Sequence, residues 1–192
     1  MATKTLIIIM LGAPGSGKGT QAQRLAKHFD IVHESSGDLL REVAEEGTEL
    51  GILAKSYFER GELVPDEVVC KIVINHIQTF SDQGRGVLLD GFPRTLNQAH
   101  ELEKSLVELG LEIDAVIHIK TSAEEIVRRL AQRGRVDDER QVVFHRIDIY
   151  RNQTRPLIEF YNRRSLLLNV DGMQSIERVY DDITDGLQVV AQ

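Results

Sequence analysis

The 192-residue chain holds a single cysteine, Cys70. That excludes an internal disulfide and any zinc site built on several cysteines. Cys70 lies in an apolar stretch of helical spacing, which predicts a buried structural thiol rather than a nucleophile. Positive charge is in deficit: 23 Lys and Arg against 30 Asp and Glu leave a formal net charge of -7. Broad nucleic-acid surfaces are usually basic, so no nucleic acid is expected as a partner, and an anionic ligand must be met by arginines placed locally. The N-terminus has no apolar segment longer than one strand and no charged-then-apolar leader, which predicts no membrane association and a cytoplasmic location. The six histidines show neither metal-ligand spacing nor a partner for a nucleophilic triad, and read as surface or packing residues. Internal repeats, low-complexity tracts and long Gly/Pro/Ser linkers are also missing.

What is present has the proportions of one compact domain with a small inserted lobe: 42% hydrophobic and 28% charged residues over a length that can bury a substantial core. Short apolar runs at Thr5 to Leu11, Ile31 to Glu34, Val87 to Asp90, Ala115 to Lys120 and Leu166 to Val170 predict strands covered on both faces. Stripes of helical period separate them: Ala22, Leu25, Ala26 and Phe29; Val68, Val69, Ile72, Val73, Ile77 and Phe80; Ala123, Ile126, Val127, Leu130 and Ala131; Ile176, Val179, Tyr180, Ile183 and Leu187. Ser122 with Glu125 three residues on has the pattern of a capping box. Alternation of this kind predicts an α/β protein with a parallel sheet. Two stretches interrupt it. Residues 36 to 64 read as two or three short helices broken at Gly47, Gly51 and Gly61, and 132 to 138 as a polar turn between helices. Both read as flaps beside the sheet edge where α/β folds bind ligands. Tyr57 and Phe58 read as the small core of the first flap.

The first strand runs straight into Gly12-Ala13-Pro14-Gly15-Ser16-Gly17-Lys18-Gly19-Thr20. Glycines there let successive N–H groups face phosphate oxygens, Lys18 adds a positive charge, and the helix starting near Gly17 adds its dipole. The stretch fits G-x-x-x-x-G-K, with Gly19 in the usual Ser/Thr place and Thr20 one position late. It predicts a site for nucleotide phosphates. Phosphoryl transfer needs aligned oxygens and positive charge rather than a nucleophile. Arginines suited to planar, two-pronged phosphate contacts stand at turns or helix ends: Arg41, Arg94, Arg129, Arg133, Arg135 and Arg146.

Four segments, in order and spread over nearly the whole chain, resemble the adenylate kinases: the P-loop, Ser35-Ser36-Gly37-Asp38-Leu39-Leu40-Arg41, Leu89-Asp90-Gly91-Phe92-Pro93-Arg94-Thr95 with Gln98, and Arg135-Val136-Asp137-Asp138. The resemblance implies a P-loop NTPase-type five-stranded parallel sheet flanked by helices, with an inserted helical NMP-binding lobe (35–64), a short lid (132–138) and a core of 1–34, 65–131 and 139–192. It implies a monomer transferring phosphoryl from ATP to AMP. Gly15, Ser16, Gly17, Lys18, Gly19 and Thr20 would surround the ATP phosphates, with Arg129 against the ATP adenine, Arg133 reaching ATP from the lid, and the backbone near Gln174 at the base. Ser36, Arg41 and Arg94 would hold the AMP phosphate, Gly91, Phe92 and Pro93 would shape that turn, Gln98 would read adenine, and Glu62, Leu63 and Val64 would line the base. Arg135 and Arg146 would bridge the transferred group. Lys18, Arg94, Arg133, Arg135 and Arg146 form the implied catalytic set. Magnesium would be held through water by Asp38 and Asp90, with Thr20 as its one direct ligand, and so short a lid implies no zinc.

The residues alone leave other readings open. Asp90 could cap the next turn, Arg129 could be a solvated helix charge, Gln174 could cap the last helix, and Pro93 could follow a cis or a trans bond. UMP/CMP kinases share the short lid, and a P-loop switch would share the phosphate cradle. Within the resemblance, Thr95-Leu96-Asn97-Gln98-Ala99 is the adenylate-kinase-like continuation and Ser36 keeps a hydroxyl where that family typically has Thr, which favours AMP; a buried Gln amide can match both the N6 donor and the N1 acceptor of adenine.

Overall fold

A computed structural model of the protein describes residues 5–45, 47–133 and 140–190. Strand β1 (Ile7–Leu11) leads through the P-loop into α1 (Lys18–Phe29). Then follow β2 (Val32–Ser35), α2 (Ser36–Glu45), α3 (Glu49–Arg60), α4 (Asp66–Asp82), β3 (Val87–Asp90), α5 (Leu96–Glu108), β4 (Ala115–Lys120) and α6 (Ala123–Arg133). The chain closes with α7 (Arg140–Ile149), a π-helical turn (Tyr150–Thr154), α8 (Pro156–Asn162), β5 (Leu167–Asp171) and α9 (Ile176–Val190). Among the described residues no helix is long and apolar enough to cross a membrane.

The strands are parallel in the order β2-β3-β1-β4-β5. β1 is central because all five of its residues are apolar and buried, and only a strand covered on both faces suits that composition. Its even and odd residues feed different layers. Ile7, Ile9 and Leu11 pack with Val69, Val73 and Ile77 of α4, Ala99, Leu102 and Leu106 of α5, and Leu157 and Tyr161 of α8. Ile8 and Met10 pack with Ala22, Leu25 and Ala26 of α1 and Val179, Ile183 and Leu187 of α9. A third cluster joins Ala13 of the P-loop to Ile126 and Leu130 of α6 and Val143 and Ile147 of α7. The phosphate loop is therefore backed by apolar packing as well as by its own strand. In register, Ser35 pairs with Asp90 and Asp90 with Met10, so the ends of three strands form one row beneath the P-loop.

Several details depart from the sequence reading. Gly51 does not break a helix; it lies in the first turn of α3. A Cβ there would come 2.3 Å from the Val43 carbonyl oxygen, so the glycine serves the contact between α2 and α3. Ala123, Ala131 and Ile176, read as parts of buried stripes, are exposed. Gln132 and Arg133 belong to α6 and not to a turn; the rest of the lid, with Arg135, Asp137 and Asp138, lies outside the described residues. Only half of the capping box forms. Ser122 Oγ accepts the Glu125 N–H at 3.3 Å, but the Glu125 carboxylate turns to Arg128 and Arg129 instead, since two guanidinium partners outbid one backbone amide.

Candidate active site

A cleft of about 570 Å³ opens at the C-terminal edge of β1, β2 and β3, between the P-loop, α2, the segment after α3, and α7. This is where the sheet order reverses direction around β1, the position at which open α/β sheets bind ligands. At its base Lys18 Nζ donates to the carbonyls of Gly12 and Ala13 at 2.8 and 3.0 Å. The ammonium is thus held over the loop whose N–H groups form the cradle. Arg129 braces the loop from outside. Its Nη1 donates to Ser16 O at 3.1 Å, its Nη2 to Gly172 O at 2.8 Å, and its Nε to Glu125 Oε1 at 2.7 Å. The two guanidinium neighbours hold the Glu125 carboxyl down at about 2, against an ordinary 4.5.

Across the cleft a second cationic set is built from two elements. Ser35 caps α2 by accepting the Asp38 N–H at 3.2 Å, which aims the first turn of that helix into the cleft. Arg41 reaches back one turn to pair with Asp38. Arg94 folds over the β3–α5 turn, its Nε donating to Gly91 O at 2.6 Å. The guanidinium groups of Arg41 and Arg94 converge on Gly37: a Cβ at that glycine would lie 3.3 Å from Arg41 Nη2 and 3.7 Å from Arg94 Nη2. Gly91 itself has φ +82°, and a Cβ on it would come within 2.8 Å of Arg94 Nη2 and 2.9 Å of Ser36 Oγ. Only glycine fits that turn without moving the arginine. The buried Ser36 hydroxyl donates to Gly91 O at 2.7 Å, locking α2 to the same turn. The Phe92–Pro93 bond is cis.

Between the two sets stands Asp90. Burial pushes its pKa up, but bonding to His33 and the charges of Lys18, His33 and Arg94 outweigh this and leave it below the ordinary carboxylate value. It is ionised in the cleft, 3.5 Å from His33 Nε2. His33 is a site residue that the sequence reading misses; period-2 alternation from Ser35 along β2 is the signal that places it on the cleft side.

The structure brings most of the expected residues to this cleft: Gly15, Gly17, Lys18, Gly19, Thr20, Ser36, Asp38, Arg41, Glu62, Leu63, Val64, Asp90, Gly91, Pro93, Arg94, Gln98, Arg129 and Arg146 all line it. Ser16 and Phe92 are buried behind the lining. The side chain of Gln174 donates to Asp182 Oδ2 at 2.7 Å on α9 and does not line the cleft. Arg133 ends the described part of α6. Tyr57 and Phe58, read as a small core of the flap alone, instead pack against the main core, and Phe58 also borders the cleft. Cys70 is buried, and burial first, with Asp66 and Glu101 second, pushes its thiol up to about 11; it is a packing residue. Among the described residues no group of three or more His, Cys, Asp or Glu is arranged to hold a metal ion.

A P-loop under a parallel sheet, with a second arginine pair facing it across one cleft, defines a P-loop phosphotransferase. The family described as Adenylate kinase matches residues 10–166. Curated relatives named adenylate kinase include those of Thermobifida fusca, 44% identical over 90% of this chain and 93% of its own length, and Carboxydothermus hydrogenoformans, 39% identical over 94% and 99%. Adenylate kinase 1 of Nostoc sp. is 45% identical over 92% of this chain and 95% of its own. The chain belongs to the adenylate kinase family. Neither a UMP/CMP kinase nor a switch module is favoured by these relatives.

Proposed function

We infer that this chain catalyses reversible transfer of the terminal phosphoryl group of ATP to AMP, giving two ADP. The observation that carries the assignment is the pair of phosphate-directed cation sets in one cleft, Lys18 with its loop on one side and Arg41 with Arg94 on the other. A protein that held a single nucleotide would have no use for the second set. The first set takes the donor phosphates on the loop N–H groups and the Lys18 ammonium; the second takes the acceptor phosphate on two guanidinium forks. Arg146, from α7, adds charge over the space between them; Arg135 is assigned to the same task from the lid, and Arg133, the last residue of α6, to ATP. Catalysis then rests on holding donor and acceptor oxygens in line and offsetting the charge on the moving group.

The oxygen donors present suit magnesium. Asp90 is ionised beside the loop, Asp38 and the Thr20 hydroxyl line the same cleft, and this hard cation retains water and takes carboxylates through it. Bound with ATP, magnesium would neutralise phosphate charge. Gln98 faces the acceptor base with Leu63 and Val64 beside it, Arg129 faces the donor base, and the backbone near Gln174 borders it. The lobe 35–64 and the lid 132–138 close over the nucleotides and exclude water that would otherwise take the phosphoryl group. A monomer in the cytoplasm completes this reading.

The test is ADP formation from magnesium and ATP with AMP, UMP, CMP or GMP offered separately. AMP-dependent ADP formation, strongly preferred over the other three, is the expected result. ATP loss that does not depend on any acceptor would overturn the assignment.

A further inference from the structure

Gln98 is 1% exposed, and its amide is held at both ends. Its Oε1 accepts the Arg94 backbone N–H at 2.7 Å, and its Nε2 donates to Asp66 Oδ1 at 2.7 Å. The other oxygen of Asp66 accepts the Thr95 hydroxyl at 2.8 Å, and Thr95 Oγ1 in turn accepts the Gln98 N–H at 3.1 Å. Asp66 is the first residue of α4. It does not line the cleft but stands behind the residue that does. Neither of its oxygens could serve as well if the Gln98 amide were reversed. A reversed amide would set its NH2 against the Arg94 N–H and its oxygen against a carboxylate, donor on donor and acceptor on acceptor. The sense of the amide is therefore fixed by chemistry at each end.

An amide has two acceptor sites on oxygen and two N–H donors. With one of each used internally, one acceptor and one donor remain for a ligand, in an order that cannot invert. A 6-aminopurine offers a donor at the 6-position and an acceptor at N1, which complements that order. A 6-oxopurine offers the opposite pair and meets like against like.

We propose that Asp66 is a specificity-determining positioning residue: by fixing the sense of the Gln98 amide it makes the acceptor site take 6-aminopurine monophosphates and refuse 6-oxopurine monophosphates. This rests on the reading of Gln98 as the residue that meets the acceptor base. A carboxylate is required because it alone accepts from both Nε2 and the Thr95 hydroxyl while offering no donor of its own.

The test compares kcat/KM for AMP and IMP, at saturating magnesium and ATP, in the unsubstituted enzyme, Asp66→Asn and Gln98→Ala. In Asp66→Asn the new amide can turn its NH2 towards Gln98, so that only the Arg94 N–H still opposes the reversed sense. The AMP-to-IMP preference is expected to fall at least about tenfold, with the loss in the KM for AMP rather than in kcat. Asp66→Glu, which keeps the acceptor character and displaces it by one methylene, is expected to retain more of the preference than Asp66→Asn, and it serves as the second variant should Asp66→Asn not fold. An unchanged preference in the folded Asp66 variants, with a reduced one in Gln98→Ala, would overturn the role of Asp66 alone. An unchanged preference in Gln98→Ala would overturn the reading of Gln98 and the Asp66 proposal with it.

Discussion

Arg94 shows how much one position can carry. Its guanidinium joins Arg41 around Gly37, its Nε holds the Gly91 carbonyl, and its backbone N–H holds Gln98. Arg94→Ala is expected to lower kcat/KM for AMP by a factor of about 10² to 10³, the scale of losing one strong charge-stabilising donor, while thermal unfolding stays near that of the unsubstituted protein; steady-state kinetics with a melting curve check both. His118 predicts a pH effect. Burial, foremost, and the charges of Lys120, Lys18 and Arg155 outweigh its bond to Asn169 and depress its pKa below 6.5. The unfolded chain then binds a proton that the folded one refuses, so stability falls as pH drops through about 6.5. His118→Gln is expected to flatten that decline, read as a smaller loss of Tm between pH 7.5 and 5.5. At this scale the sequence named most of the cleft, because glycines and arginines in fixed order carry their own chemistry. It did not name His33 or Asp66. Each acts through a neighbour brought close by pairing between distant segments, β2 with β3 and α4 with α5; alternation along β2 puts His33 on the side of Ser35, but nothing local brings Asp90 to His33 or Gln98 to Asp66.

Among the elements, α6 has the clearest division of labour. Ile126 and Leu130 pack towards the P-loop, while Glu125 steers Arg129 onto the carbonyls of Ser16 and Gly172. Glu125→Gln is expected to raise the KM for ATP several-fold and leave the KM for AMP unchanged, since only the donor-side loop loses its brace. The ion pair persists to acid: a carboxyl held down at about 2 contributes stability that is whole above the ordinary 4.5 and is lost progressively as pH falls from there to about 2. The contact of α2 with α3 is a second test. Gly51→Ala places a methyl 2.3 Å from the Val43 carbonyl, and strain of this kind costs about 1–3 kcal/mol, measurable by urea unfolding. Element types and strand positions were legible from apolar period; the ends of α6 and the role of Gly51 were not. A glycine that permits close approach and a glycine that ends a helix look alike until the neighbouring helix is known.

The whole molecule should gain stability from each nucleotide separately. A ligand at 100 times its Kd adds about 2.7 kcal/mol, and for a chain of this size that corresponds to roughly 5–10 °C in Tm. AMP and a non-hydrolysable ATP analogue are each expected to raise Tm, and Arg41→Ala to abolish the AMP shift while keeping that of the analogue. Equal loss of both shifts would show that the two cation sets do not act separately.

The strand order has a consequence for how the chain is made. β1 leaves the ribosome before the other four strands of its sheet, yet it lies between β3 and β4, and Ile7 finds its nearest partner only at Val87. At about 5–20 residues per second, the most apolar strand of the protein waits roughly 4–16 s before any neighbour exists. During that interval nothing in the nascent chain can cover its edges. Newborn copies are therefore open to capture by chaperones or by one another until β3 has emerged.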